Sequence, residues 1–266
     1  RREFEKLKNM GVKLELGVVV GETYTIDELL KDFNAVFLGV GAGRPIFLNV
    51  PGENYANIYT ANEFLTRVNL MKSYRFPEYD TPIHIGKKVA VIGAGNTAMD
   101  AARSALRLGA ETYIVYRRGR AEMTARAVEI HHAEEEGVKF MYYLAPVEFM
   151  SSDGVNVSGI KLMKMRPGEP DRTGRPRPVP TGETIEFDVD MVITAIGFYP
   201  NPLIPSVTPG IKTDDHGRVI VDLEGRTSIR GVYAGGDIVT GESTVIEAMG
   251  WGRRVARAID RDLQRS

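Results

Sequence analysis

The 266-residue chain contains no cysteine. That absence removes disulfides, a cysteine-ligated iron–sulfur cluster within the chain, a CxxC redox pair and a thiolate nucleophile. The four histidines (His84, His131, His132 and His216) show no metal-ligand spacing, and His131 and His132 lie in a charged stretch that reads as a solvated helix face. Long apolar runs are also missing. None reaches the roughly 18 residues of a spanning helix, and Arg1-Arg2-Glu3-Phe4-Glu5-Lys6 lacks the apolar stretch of a signal peptide. Nor is one sign of charge in excess: 34 Lys and Arg against 35 Asp and Glu leave a net charge of −1. No general attraction to nucleic acid or to an anionic membrane follows from that balance. A cytoplasmic setting, with no nucleic-acid and no membrane partner, is the expectation. The first residue is not Met and residues 1–10 look like the end of a helix, so the chain reads as a piece of something longer.

What is present is a nucleotide fingerprint. Val89 to Ile92 is a short apolar run suited to a buried parallel strand, and Gly93-Ala94-Gly95-Asn96-Thr97-Ala98 follows as G-x-G-x-x-A, opening a helix that Gly109 stops. In this pattern Gly93 allows the tight turn, Gly95 lets backbone approach a pyrophosphate, and Ala98 lets helix and strand pack closely. The free N–H groups at the helix start face the phosphates. Alone the motif is weak, but a second strand, Thr112 to Tyr116, completes the strand–turn–helix–strand context it requires. About 20 residues past the turn an NAD site places an acid for the ribose 2′-OH, and an NADP site an arginine for the 2′-phosphate. Arg117 and Arg118 stand there, with no acid. An isolated RR pair reads as a solvated loop; after a fingerprint at this spacing it points to NADP(H).

The rest of the chain alternates strand and helix signals. Residues 1–10 read as a helix, Val12 to Leu16 as a strand, and Thr25 to Lys31 as a helix whose Thr25 and Glu28 form a capping box. Ala35 to Val40 is a buried strand ending in Gly41-Ala42-Gly43, and a helix is expected near Ala61 to Asn69. A helix near Arg120 to Glu136 leads into β-like runs at 138–150 and 157–165. Pro167 to Pro180, with Arg172, Arg175 and Arg177, reads as a mobile loop between hairpin strands. Short strands are expected at 189–195, 219–222 and 231–234, before a terminal helix from Thr244 to Gln264. The expected class is α/β, a parallel sheet with an inserted or paired second domain.

A second constellation runs from Gly231 to Ile238, strand into glycine turn into acid (Gly235-Gly236-Asp237), followed by a helix opening at Ser243-Thr244-Val245. The glycines admit a ligand close to backbone, Asp237 can accept hydrogen bonds from hydroxyls, and the helix start can stabilise negative charge. Read alone, it is equally a tight strand-to-helix connection.

Gly95-Asn96-Thr97-Ala98-Met99-Asp100, Tyr116-Arg117-Arg118, Ala195-Ile196-Gly197, Pro200-Asn201-Pro202 and AGGDIVTG at 234–241 occur in this order and spacing. Together they resemble the small (beta) subunit of NADPH-dependent glutamate synthase, whose group includes flavin–NADPH subunits of sulfide dehydrogenase, bifurcating ferredoxin:NADP oxidoreductase and dihydropyrimidine dehydrogenase. The resemblance implies two Rossmann-like dinucleotide-binding domains, an FAD domain from residues 1–82 and 198–266 with the NADP(H) domain inserted at 83–197. It implies that Gly93, Gly95, Asn96, Thr97 and Ala98 cradle the NADPH pyrophosphate, that Arg117 and Arg118 hold its 2′-phosphate, and that Glu129 lies near the adenosine end. Ala195, Ile196 and Gly197 would border the nicotinamide. Asp237, beside Gly236, would bind the FAD ribityl chain, the Thr244 and Val245 amides would meet the flavin, and Gly41 and Ala42 would lie in the FAD domain's own turn.

Two departures stand out. The family's EMPA segment reads Glu122-Met123-Thr124-Ala125, which should loosen that loop slightly. The family's cysteine motifs for iron–sulfur clusters, and its FAD fingerprint with the acid for the FAD ribose, do not occur before Gly41. Iron–sulfur clusters would belong to a missing N-terminal segment, and FAD binding by the isolated chain should be weak or lost. The leading expectation is an oxidoreductase region passing hydride between NADPH and FAD, with electrons going on to clusters and a large synthase or ferredoxin-type subunit. The cofactors would carry the chemistry, so no catalytic side chain is expected, and Asp100 reads as structural, tying its turn together. The alternative is an NADP(H)-binding module without turnover. A disulfide reductase of the thioredoxin-reductase type would need a cysteine pair.

Overall fold

The alternation of buried side chains along Lys88–Ile92 sets the architecture around it. Val89 and Val91 point into one apolar cluster and Ala90 and Ile92 into another, so this strand is covered on both faces. The computed structural model describes residues 2–171, 173–241 and 243–265; Arg172 of the arginine-bearing loop and Glu242 fall outside them. It divides into two units, one of residues 1–44 and 198–266 and the other of 45–197.

The first unit begins with helices α1 (Arg2–Asn9) and α2 (Ile26–Asp32) and strand β1 (Val36–Leu38). The capping box of α2 forms as expected: Thr25 Oγ1 accepts from Glu28 N–H at 3.2 Å and Glu28 accepts from Thr25 N–H at 2.9 Å. The strand expected at 12–16 does not form. Val12, Leu14 and Leu16 stay exposed, and without a partner ladder the alternation of their side chains has no face to bury.

The second unit carries β2 (Ile58–Thr60), α3 (Ala61–Leu65), β3 (Lys88–Ile92), α4 (Asn96–Arg107), β4 (Glu111–Tyr116), α5 (Ala127–Glu136) and β5 (Lys139–Tyr142). Strands β6 (Leu144–Met150), β7 (Gly159–Pro170), β8 (Pro176–Asp188) and β9 (Met191–Thr194) follow. Five strands form an all-parallel sheet in the order β2-β9-β3-β4-β5. One face packs on the helices, where Ala98, Ala101, Ala102 and Ala105 of α4 are fully buried; these small side chains let the helix lie close to β3. The other face packs on the antiparallel sheet β6-β7-β8 through Phe149, Ile160 and Leu162. Each fully buried side chain of that size contributes about 1.5–3 kcal/mol.

The boundary expected at 82/83 falls instead at 44/45. Residues 45–82 join the second unit because β2 pairs with β9 (Ile58 opposite Val192) and Phe64 is buried in the same cluster as Val89 and Val91.

The chain then returns to the first unit through α6 (Leu203–Val207), β10 (Val232–Ala234), α7 (Asp237–Thr240) and α8 (Val245–Leu263). Strand β10 lies parallel to β1, and Ile26, Leu38, Ile204, Val219, Val232, Ala234 and Ile238 form the unit's main core. The strand expected at 219–222 is reduced to a single bridge between Val219 and Thr213.

Candidate functional site

In the parallel sheet, the ends of β9, β3 and β4 lie side by side at the carboxyl edge, where open α/β sheets bind ligands. Ala195 N–H donates to Ile92 O at 2.8 Å, and Gly93 N–H donates to Val115 O at 3.1 Å, which fixes the turn between its neighbours. Gly93 has φ +132°, and a Cβ there would meet Ala195 O at 2.1 Å. The structure therefore brings Gly93 and Ala195 together, and fold geometry alone demands glycine at 93. Gly95 differs. Its φ is −89°, and a Cβ would meet only Thr124 Oγ1, at 3.5 Å. No protein atom excludes a side chain from position 95, whereas close approach of a pyrophosphate would.

The first helical carbonyl bonds run from the Ala98 and Met99 N–H groups to Gly95 O. Among the described residues the N–H groups of Gly95, Asn96 and Thr97 have no backbone acceptor, the usual state of a helix start that receives an anion. Asn96 Oδ1 accepts from Arg126 N–H at 2.9 Å, so its side chain organises the neighbouring loop. Where that loop departs from EMPA it is still fastened to the fingerprint turn: the Thr124 and Ala125 N–H groups both donate to Ala94 O, at 3.2 and 3.0 Å. The Thr124 hydroxyl is thereby placed over Gly95, a position that its sequence context as a departure from EMPA does not indicate. Ile196 packs against the second core cluster, and Gly197 O accepts from Ile46 N–H.

The two arginines after β4 are not equivalent. Arg117 is exposed. Arg118 is 9% exposed, donates from Nη2 to Asp171 Oδ2 at 2.7 Å, and leaves its buried Nε without a partner. Asp171 is held below the usual carboxylate range by hydrogen bonds from the Thr173 side chain and backbone, with Arg118 adding to them. Glu129 sits on α5 with its carboxylate on Arg103 Nη1 at 3.1 Å, so it is engaged by the fingerprint helix. Asp100 makes no hydrogen bond among the described residues and so does not tie its turn. Partial burial, then Glu129, push its carboxyl up, with Arg103 opposing.

The first unit holds its own cleft, of about 290 Å3, lined by Gly41, Gly236, Asp237, Thr244 and Val245 together with Phe37. The structure thus gathers five residues that the sequence separates by some 200 positions; Ala42 follows on the loop, half-buried and outside the lining. Burial, then Glu247, raise the Asp237 carboxyl. One expected contact is altered. Thr244 N–H donates to Glu247 Oε2 at 3.1 Å and Thr244 Oγ1 accepts from Glu247 N–H at 3.3 Å, a capping box. The Thr244 amide is therefore engaged, whereas Val245 N–H has no acceptor among the described residues.

Residues 5–252 match the family described as pyridine nucleotide-disulphide oxidoreductase. The chain belongs to that family. The disulphide in the family's description has no counterpart here, since the chain has no cysteine. The resemblance to glutamate synthase small chains is borne out: the protein of that description from Halomonas elongata is 36% identical over 95% of this chain and 54% of its own length. The NADP(+)-dependent formate dehydrogenase subunit beta of Moorella thermoacetica is 40% identical over 98% of this chain and 36% of its own. The chain thus spans about a third to a half of these relatives. Among solved structures, Mycobacterium tuberculosis FprA in complex with NADPH superposes with a TM-score of 0.76 at 22% identity, over 99% of this chain and 71% of that one, which shows the fold. Two nucleotide-binding-type units, the second inserted in the first, agree with that fold.

Proposed function

We propose that this chain is the nucleotide-handling core of an NADPH-dependent flavoprotein oxidoreductase, with NADP(H) held by residues 45–197 and FAD by residues 1–44 and 198–266. The carrying observation is the carboxyl edge of β9, β3 and β4. There an open glycine, three unpaired N–H groups and a pair of arginines follow one another in the order pyrophosphate, then 2′-phosphate. The residues present fit the dinucleotide. Gly95, Asn96 and Thr97 N–H groups would hold the pyrophosphate, Thr124 adding a hydroxyl, and Arg117 and Arg118 the 2′-phosphate. Ala195 to Gly197 would border the nicotinamide and Glu129 stays near the adenosine end through Arg103.

The cleft of the first unit fits the flavin end. Asp237, whose carboxyl is raised by burial and then by Glu247, would accept hydrogen bonds from the ribityl hydroxyls. Val245 N–H, at the start of a 19-residue helix, would face the electron-rich edge of the ring. When bound, the two cofactors supply hydride transfer; the chain supplies position and electrostatics and needs no acid–base side chain. Electrons would pass to iron–sulfur clusters and a partner subunit such as a large synthase or a ferredoxin-type protein. Relatives named as subunits of NADPH-linked enzymes support that reading. Arg117→Ala is the sharp test, because Arg117 is exposed and makes no contact the fold needs. It should weaken NADPH binding about tenfold, the loss of one charge-assisted bond, and leave NADH unchanged. Equal losses for the two would refute the assignment.

A further inference from the structure

Strands β7 and β8 form a long hairpin whose outer part carries Arg166, Asp171 and Arg177. Arg166 lies opposite Val179, two residues from Arg177, so strand alternation sets both arginines on one face. They line a narrow crevice with Arg117, Arg118, Glu122 and Tyr143. The hairpin is fastened to the arginine loop: Tyr143 N–H donates to Arg118 O at 3.1 Å, and Met165 N–H to Tyr143 O at 2.7 Å.

The charges here do not balance. Among the described residues of the crevice and its ion pair, four guanidiniums meet two carboxylates, Glu122 and Asp171, and Glu122 is already bonded to Gly119 N–H at 2.8 Å. Nearby arginines are satisfied, Arg103 and Arg107 by Glu136 and Arg120 by Glu134. Among the described residues Arg117, Arg166 and Arg177 have no ion-pair partner. The excess of about two positive charges equals the charge of a phosphate monoester near neutral pH. Buried Arg118, with its Nε unpaired, is held by a carboxylate of the hairpin, Asp171.

We propose that Asp171 stands where the 2′-phosphate of NADP(H) binds, and that the phosphate takes Arg118 from it by ion-pair exchange. Arg166 and Arg177 then complete the phosphate site, which makes the hairpin a specificity-determining element. This rests on the NADP(H) reading above. Asp171 uses Oδ1 for its own turn, accepting from Thr173 N–H at 2.8 Å, and Oδ2 for Arg118. Asp171→Asn therefore keeps the turn acceptor and replaces Oδ2, the acceptor for Arg118, with a neutral NH2 group, so the competing ion pair is lost.

The test is calorimetric titration of the 266-residue chain with adenosine 2′,5′-bisphosphate and, separately, with 5′-AMP. Asp171→Asn should tighten the bisphosphate about three- to tenfold and leave 5′-AMP unchanged. The surface pair Arg166→Gln with Arg177→Gln should weaken the bisphosphate about tenfold, spare 5′-AMP, and flatten the salt dependence of binding. A wild-type chain that prefers the bisphosphate, with both variants binding it as wild type does, overturns this proposal alone. A wild-type chain with no preference for the bisphosphate overturns the NADP(H) reading and this proposal with it. Should Asp171→Asn lower the melting temperature sharply, the arginine pair, whose exposed side chains make no hydrogen bond or ion pair among the described residues, still decides.

Discussion

Alanine at Gly93 and alanine at Gly95 should fail in opposite ways, although the two glycines stand two residues apart in one motif. At Gly93 the backbone has φ +132°, and a Cβ would lie 2.1 Å from Ala195 O and 2.8 Å from Ala195 C. Both are backbone atoms at the end of β9 and cannot rotate aside. An L-residue held in that conformation costs about 1–3 kcal/mol, and forcing β3 and β9 apart a similar amount. The total, about 2–6 kcal/mol, is a large share of the 5–15 kcal/mol that holds an ordinary domain. At Gly95 the backbone is extended (φ −89°, ψ 179°) and the nearest atom to a Cβ is Thr124 Oγ1 at 3.5 Å. Alanine there forfeits only the N-cap preference for glycine, below about 1 kcal/mol. Its methyl group, however, would occupy the approach of the pyrophosphate, blocking one or two charge-assisted bonds of about 1.5–3 kcal/mol each. Thermal unfolding followed by circular dichroism, with calorimetric titration of NADPH, separates the cases. Gly93→Ala should melt far lower, whereas Gly95→Ala should melt near wild type and bind NADPH at least tenfold more weakly. A Gly95→Ala variant that binds NADPH normally would refute the reasoning, as would a Gly93→Ala variant of unchanged stability.

Glu136 is held down to about 2 by hydrogen bonds from Arg107 and then Arg103. Its folded pKa lies below the unfolded value of about 4.3, so its stabilisation is present above that value and is lost as pH falls through about 2. Glu136→Gln should cost about 1–2 kcal/mol at pH 7, after solvent screening; urea melts at pH 7 and pH 3 should show the gap between variant and wild type closing in acid. Asp100 has the opposite sign: a raised carboxyl favours the folded state below its unfolded pKa and loses that advantage as pH rises through the folded value. Asp100→Asn should therefore raise the melting temperature slightly at pH 7 and not at pH 3. Asp190 accepts from the Lys87 and Lys88 N–H groups at 2.9 Å each, fastening the start of β3. Asp190→Ala should cost about 1–3 kcal/mol and speed amide exchange at those two positions first.

The nucleotide unit was legible because its signals are local. An apolar run, a glycine turn and a helix within 20 residues are read directly, and β3, α4 and β4 form where they were expected. The boundary at 44/45 was not, because β2 is three residues long and its partner β9 lies more than 130 positions away. The failed strand at 12–16 shows the converse: alternation without a partner does not make a strand. At the site, sequence treats Arg117 and Arg118 alike, since it does not reveal that a hairpin starting near residue 159 folds back over one of them. The Thr244–Glu247 capping box was within reach. Its Thr-x-x-Glu spacing is the same one that marks Thr25–Glu28. Thr124 shows in the sequence only as a departure from the EMPA segment; the place of its hydroxyl depends on the bonds that the Thr124 and Ala125 N–H groups make to Ala94 O.

The central claim is that one chain holds both partners of a hydride transfer and distinguishes NADPH from NADH. The absorption spectrum of the purified chain with added FAD, recorded anaerobically before and after each nicotinamide cofactor, tests it directly. With FAD in large excess, because its binding by this chain should be weak, NADPH should bleach the flavin band and NADH should not. A flavin band that NADPH leaves unbleached, in a chain that nevertheless binds NADPH, would contradict the claim, and would make this chain a nicotinamide-binding module without turnover.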